Sequence, residues 1–258
     1  MDKKEQPIGF YDSGIGGISV LAETVRLLPN ENYIYYGDNL YAPYGLKDEK
    51  DVIERSFVCG DFLYEKGVKT IVIACNTATS IVVRGMREKY SIPVISIEPA
   101  VKPASEKYAE GDILVMATKA TVNQQRYKDL VERLGAGERV KSIECENLAN
   151  LVEQGDFDAP AIRAYICEKL APFRESGNVC AVVIGCTHYS FIESQIRDVA
   201  QKLLKGNCEI FDGRFGTAKH VVNVLEQEGL LSGRKTRGTV EFYSSKGAEF
   251  AATMKKYL

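Results

Sequence analysis

Short apolar runs alternate along the chain with longer stretches in which apolar residues recur at every third or fourth position. The runs at 8–12, 33–37, 70–75, 94–97, 113–117, 140–144, 181–186, 209–212 and 239–243 have the length and composition of strands. Helical spacing marks 19–28, 47–66, 77–90, 122–134, 161–173, 193–204 and 218–228. In 47–66 the apolar residues Val52, Ile53, Phe57, Phe62 and Leu63 recur at that spacing, and Gly67 supplies the stop. The strands are nearly all apolar rather than alternating, so both faces of their sheet must be covered. Strand–helix alternation of this kind predicts an α/β fold with mostly parallel sheets flanked by helices.

One stretch of the pattern occurs twice. Thr-Ile-Val-Ile-Ala-Cys-Asn-Thr at 70–77 is similar to Ala-Val-Val-Ile-Gly-Cys-Thr-His at 181–188. Each is a buried-looking strand that ends in a small residue and a cysteine, followed by polar residues and a helix. Buried strands resemble one another, and cysteine is often a core residue. The alternative is two related lobes, each placing one cysteine at the carboxyl end of a central strand, where open α/β sheets bind ligands.

The length of 258 residues allows one large domain or two small ones. The net charge is −2 and no basic stripe carries interleaved aromatics, which argues against nucleic acid as the main partner. Residues 1–7 are polar and charged rather than signal-like, and no apolar run approaches the roughly 20 residues of a membrane span. A cytoplasmic protein with no membrane partner is the expectation. The seven cysteines include no CxxC pair, so neither a disulfide framework nor a zinc ribbon is indicated. The only histidines are His188 and His220.

Candidate chemistry gathers at strand ends. Tyr-Asp-Ser-Gly-Ile-Gly-Gly-Ile at 11–18 is a glycine-rich turn whose following helix would offer N–H groups to an anion. No Lys follows, so it is not a phosphate loop, and a purely structural turn accounts for the glycines equally well. Asp12 at the strand end is able to cap the turn, bind a cation or accept a proton. The segment 40–45 is a loop, either a plain turn or a cover over a substrate. Cys75 and Cys186 are the central features. A free thiol is only about 3% ionised at pH 7, and bringing it to half requires roughly 2 kcal/mol of differential stabilisation. A helix N-terminus supplies part of that, and a protonated His188 two residues from Cys186 would supply more. An ionised Asp12 beside Cys75 would work the other way, which suits it to proton relay or to contact with a substrate ammonium. A Cys–His hydrolase pairing Cys186 with His188 or His220 leaves Cys75 and the repeat unexplained. A metal site built from Cys75, Cys186, His188 and His220 has an unfamiliar ligand spacing.

Four segments together carry a family resemblance. Tyr-Asp-Ser-Gly-Ile-Gly-Gly-Ile-Ser-Val at 11–20, Ala-Pro-Tyr-Gly at 42–45, Ala-Cys-Asn-Thr-Ala at 74–78 and Gly-Cys-Thr-His-Tyr at 185–189 resemble the signatures of the glutamate racemase family, in order and spacing. The resemblance spans nearly the whole chain. It implies two pseudo-symmetric α/β lobes with glutamate buried between them, one formed by residues 1–98 plus 213–258 and the other by 99–212. It also implies no cofactor and no metal, a role in supplying D-glutamate for peptidoglycan, and leaves a homodimer open. By the resemblance, Cys75 takes the α-proton of the D enantiomer and Cys186 that of the L enantiomer. Asp12 matches the residue assisting the first cysteine and His188 the residue assisting the second. Ser13, Tyr44, Gly45, Asn76, Thr77, Thr118, Thr121 and Thr187 match substrate-binding positions, and Glu153 an acidic residue near the second half of the site. The chain departs from the family pattern at Ser190, where many members have Pro, at Asn123, where Ser is common, and after Cys145, where Pro often follows. The requirement for two opposed bases agrees with the chemistry, because one fixed base reaches only one face of the α-carbon. Aspartate racemase is the nearest alternative activity, and a two-lobed binding protein without turnover is the alternative of a different kind.

Overall fold

The computed structural model describes residues 2–205 and 208–258. The chain begins with strand β1 (Ile8–Asp12), helix α1 (Ile18–Leu27), β2 (Tyr33–Gly37), α2 (Glu49–Glu65), β3 (Thr70–Ile73), α3 (Asn76–Lys89) and β4 (Val94–Ser96). It continues with α4 (Val101–Lys107), β5 (Asp112–Ala117), α5 (Lys119–Asn123), α6 (Gln125–Arg133), β6 (Val140–Glu144), α7 (Leu148–Glu153), α8 (Pro160–Leu170) and β7 (Val179–Ile184). The last elements are α9 (Glu193–Leu203), β8 (Glu209–Asp212), α10 (Gly213–Gln227), β9 (Val240–Ser244) and α11 (Ala248–Met254).

Among the described residues nine strands form two sheets, ordered β4-β3-β1-β2-β9 and β6-β5-β7-β8, and every strand pair in them is parallel. Taken from its other edge, the second sheet runs β8-β7-β5-β6. Each of its strands then occupies the place held by the strand four numbers lower in the first sheet. The repeat seen at 70–77 and 181–188 is therefore a repeat of topology: β3 and β7 are equivalent strands, and β9 is an addition to the edge of the first sheet.

Period-two alternation distributes each strand's side chains between two cores. Ile8 and Phe10 of β1 and Tyr33 and Tyr35 of β2 pack with residues of α1, α10 and α11. Tyr11, Ile34, Ile71 and Ile73 point to the opposite face and pack with α2 and α3. In the second lobe Leu114, Met116, Val182 and Ile184 meet α7, α8 and α9, whereas Ile113, Val115, Ala181 and Val183 meet α4 and α6. Each fully buried Val, Leu or Ile contributes about 1.5–3 kcal/mol, so the two-sided cores explain why these strands tolerate almost no polar residue.

The elements expected from the pattern are present, with several changed boundaries. β3 and β7 stop two residues before their cysteines, although Cys75 and Cys186 are still extended and directly precede the helical turns that follow. The expected helix at 122–134 is two helices. Thr118 caps α5 by accepting a hydrogen bond from Thr121 N, and extended Gln124 (φ −71°, ψ 140°) separates α5 from α6. The expected helix at 161–173 ends as α-helix at Leu170; Pro172, which lacks an N–H, leaves residues Ala171–Phe173 in a 3-10 turn. α10 starts five residues earlier than expected. Asp212 caps it by accepting from Arg214 N, so Gly213 and Gly216 fall inside a helix rather than before one. The short helices α4, α7 and α11 were not expected at all.

Candidate active site

Cys75 is the residue before α3. Its Sγ accepts a hydrogen bond from Ala78 N at 3.4 Å, and its own S–H points to Ser13 Oγ at 3.7 Å. Cys186 holds the equivalent place after β7, where a 3-10 turn, Thr187–Ile192, leads into α9. Both thiols are nearly sealed, at 5% and 7% exposure. They are close enough for a charge on Cys186 to raise the proton affinity of Cys75.

The two sulfurs stand in different electrostatic settings. Burial and the neighbouring Asp12 carboxylate push the Cys75 thiol up to about 12, against the opposing pull of the Ala78 N–H and the Ser13 hydroxyl. Beside Cys186, His188 Nδ1 lies 3.9 Å from the sulfur while Nε2 lies 2.7 Å from Glu153 Oε2. Burial alone would push the imidazole down. The Cys186 sulfur and the Glu153 carboxylate outweigh it and hold His188 well above the ordinary histidine range. Burial likewise raises Glu153, but His188, Ile15 N–H and Asn39 together bring it below its ordinary value. Asp12 is raised, by burial first and by Glu153, while His188, Gly14 N–H and the Thr187 hydroxyl oppose.

The glycine-rich turn does bind an anion, and the anion is the protein's own. Ile15 N donates to Glu153 Oε2 at 2.9 Å, across from one lobe to the other. A Cβ at Gly14 would collide with the Glu153 carboxylate, and one at Gly16 would lie 2.5 Å from Thr187 Oγ1 and 2.6 Å from His188 Nδ1. The glycines are thus required for close approach of the two halves. Asp12 makes the same crossing: Oδ1 accepts from Gly14 N at 2.8 Å and Oδ2 from the Thr187 hydroxyl at 3.0 Å. The hydrogen-bond partners of Cys75 are Ser13 and Ala78 N, and Asp12 acts on that sulfur through its charge.

The remaining expected residues divide into two groups. Thr77, Thr118 and Thr121 form a triangle of hydroxyls, with edges of 2.9, 2.9 and 3.3 Å, that joins α3 to the turn after β5. Asn76 is buried beside them and its Oδ1 has no partner. Gly45 lies against Thr118, where a Cβ would come within 2.7 Å of its methyl group. Tyr44 is different. Its hydroxyl donates to Asp38 Oδ2 at 2.7 Å, and Arg55 grips the same carboxylate through two bonds of 2.9 and 2.8 Å. The Tyr44 side chain therefore anchors the loop, and its carbonyl accepts from Lys47 N at 3.1 Å. His220 lies elsewhere, on α10 beside Arg87 and Lys102 around a surface cavity of about 480 Å³.

Asp38, Asn39, Arg55 and Ser244 belong to this constellation and were not anticipated. Asp38 and Asn39 directly follow β2, the position where α/β sheets place ligand-contacting residues, so that much was available. Arg55 lies on α2, and Ser244 is some 200 positions away on β9, without a local signal. Among the described residues no group of three or more His, Cys, Asp or Glu side chains is arranged to hold a metal. No helix among them is long and apolar enough to cross a membrane.

Residues 16–213 match the family model described as Asp/Glu/Hydantoin racemase. A glutamate racemase of Clostridium perfringens is 42% identical over 245 residues, which cover 95% of this chain and 92% of that one. The crystal structure of a glutamate racemase isoform from Bacillus anthracis superposes with a TM-score of 0.84 at 30% identity, covering 96% of this chain and 91% of the other. Glutamate racemase from Francisella tularensis, solved in complex with D-glutamate, gives a TM-score of 0.84 at 28% identity, with 99% and 94% coverage.

Proposed function

The chain belongs to the Asp/Glu/Hydantoin racemase family, and from that premise we infer that it interconverts L- and D-glutamate by a two-base reaction carried by Cys75 and Cys186. Its activity is that of a glutamate racemase, an isomerase. The observation that carries the mechanism is the equivalence of β3 and β7: two buried thiols lie at matching strand ends, and a charge on Cys186 reaches Cys75.

In the L-to-D direction Cys75, whose proton is held tightly, is the donor, and Cys186, beside His188 and Glu153, is the acceptor. The α-C–H bond breaks toward Cys186, and the carbanion then takes the proton of Cys75 on its opposite face. One turnover leaves Cys186 as a thiol and Cys75 as a thiolate, the state that accepts D-glutamate. Ser13, Asn76, Thr77, Thr118, Thr121, Thr187 and the backbone of Tyr44 and Gly45 surround the substrate. Their hydroxyls, amides and helix N-termini bind its carboxylates without an arginine clamp. Asp12 faces the substrate ammonium, whose charge offsets the carboxylate's effect on Cys75.

The lobes divide at the two chain crossings, giving 1–98 plus 213–258 and 99–212. A Cβ at Gly213 would strike Glu98 O, so the crossings touch and form a single hinge line. We place the reaction in the cytoplasm, as a source of D-glutamate for peptidoglycan. Chiral analysis of L-glutamate incubated with the purified protein in heavy water, without added cofactor, tests the mechanism. Early D-glutamate should carry solvent deuterium while remaining L-glutamate does not. Substantial protium in early product would reject two bases in favour of one. Turnover of L-aspartate but not L-glutamate would reassign the substrate.

A further inference from the structure

A chain of hydrogen bonds approaches His188 from the far side of the other lobe. Glu153 Oε2 accepts from His188 Nε2, while Oε1 accepts from Asn39 Nδ2 at 2.8 Å. Asn39 Oδ1 in turn accepts from the Ser244 hydroxyl at 2.8 Å, and Ser244 Oγ accepts from Lys246 N at 3.1 Å. The polarity of the chain is fixed at both ends. A carboxylate only accepts, so Asn39 must present its NH2 group to it. The Lys246 N–H occupies a lone pair of Ser244, so the hydroxyl proton is directed at Asn39 Oδ1. Two glycines clear the path: a Cβ at Gly37 would strike Asn39 Oδ1, and one at Gly14 would strike the Glu153 carboxylate. Asn39 itself is buried.

We propose that Asn39 and Ser244 are positioning residues for proton transfer at Cys186: Ser244 pins the Asn39 amide from behind, Asn39 holds Glu153 in line, and Glu153 fixes the imidazole whose Nδ1 faces the sulfur. This rests on the two-cysteine reading above. Without the Ser244 hydroxyl Asn39 Oδ1 loses its donor and the amide is held on the Glu153 side alone. Its grip on the Glu153 carboxylate loosens, and the anchor of the imidazole loosens with it. Cys75 has no member of this chain as a hydrogen-bond partner, so the effect falls on one face of the substrate.

The equilibrium constant between the enantiomers is one, so any variant lowers kcat/KM equally for both, and the two halves must be separated by isotope effects. A slower step at Cys186 makes C–H cleavage more limiting for L-glutamate, and it makes reprotonation, which uses a solvent-derived proton, more limiting for D-glutamate. The experiment measures the primary isotope effect on kcat/KM with α-deuterated L- and D-glutamate, for the parent, Asn39→Ala, Ser244→Ala and Ser244→Thr. Asn39→Ala should lower kcat/KM about tenfold and Ser244→Ala about threefold. In both variants the isotope effect should rise for L-glutamate and fall for D-glutamate, and Ser244→Thr should recover most of what Ser244→Ala loses. Circular dichroism and a thermal melt establish that each variant is folded; if Ser244→Ala is not, Asn39→Ala supplies the same measurement. Isotope effects that stay at parental values, or move together for the two enantiomers, would overturn the proposal. Failure of the two-cysteine reading shows separately, as near-parental racemisation by Cys75→Ala or Cys186→Ala.

Discussion

At the scale of single residues, the two thiols differ in what their surroundings make easy. Removing either one as Ala removes the acid–base group on one face and should lower turnover by about 10²–10⁴. Asp12→Asn deletes a negative charge that raises Cys75, so the thiol should titrate below about 12 in the variant; the pH dependence of Cys75 alkylation by iodoacetamide, followed by mass spectrometry, measures it. The same substitution should raise the isotope effect for D-glutamate, and His188→Ala should raise it for L-glutamate. Glu153 carries a stability prediction with a definite sign. Its pKa is lower in the fold than the ordinary 4.5, so its contribution is complete above that value and is lost as pH falls through the folded one. His188 is raised instead, so its contribution is complete below its ordinary 6.5 and fades as pH rises toward the folded value. Glu153→Ala should cost about 3 kcal/mol near neutrality by leaving the imidazolium unpaired. Denaturant titrations from pH ~3 to ~6 should show the gap between parent and variant closing toward the acid end.

Secondary-structure elements were legible where their apolar period was long. The strands and α1, α2, α3 and α9 came out within a few residues because each buries one continuous stripe or a whole run. α4 contains Pro103 and α7 spans only Leu148–Glu153, too short for a period to show. The break at Gln124 depends on Thr118 capping α5, which no pattern of apolar residues records. Cys75 and Cys186 were legible because they terminate nearly identical strands. Asp38, Arg55 and Ser244 were not, because their roles depend on which strands lie side by side. The glycines separate two functions at this scale. Gly216 is exposed within α10 and a Cβ there meets nothing within 4 Å, so Gly216→Ala should stabilise the protein by about 0.5–1 kcal/mol in thermal or denaturant unfolding. Gly16→Ala should cost about 1–3 kcal/mol through overpacking, and should reduce activity by displacing Thr187 and His188.

Over the whole molecule, the lobes are tied together by groups to which the proposed mechanism also gives a role. Asp12 to Thr187, Glu153 to Ile15 and the threonine triangle all cross the cleft. Further out, Tyr257 at the C-terminal end packs on the stacked pair Phe157 and Phe191. Both sulfurs are buried beneath these contacts, so reagents should reach them only when the contacts break. Cys75 and Cys186 should alkylate more slowly than the partly exposed Cys167, and glutamate should slow them further, as peptide mapping after timed exposure would show. Equal rates at all three cysteines would mean that the open form dominates.

The added strand β9 has a consequence for how the protein is made. β2 ends at Gly37 and its neighbour β9 begins at Val240, so the first sheet keeps an unpaired edge while the intervening chain is synthesised, roughly 10–40 s at ordinary ribosomal rates. The second sheet, built from consecutive segments, receives its last strand at Glu209–Asp212, before β9 at Val240–Ser244 completes the first. Ser244 stands at the end of that late strand and Asn39 just beyond the edge it covers. The segment that covers this edge thus also carries the hydroxyl that holds Asn39. A chain that stops before β9 would hold both thiols and lack the Ser244 contact, so on the proposal above its proton transfer at Cys186 would be slowed as in Ser244→Ala.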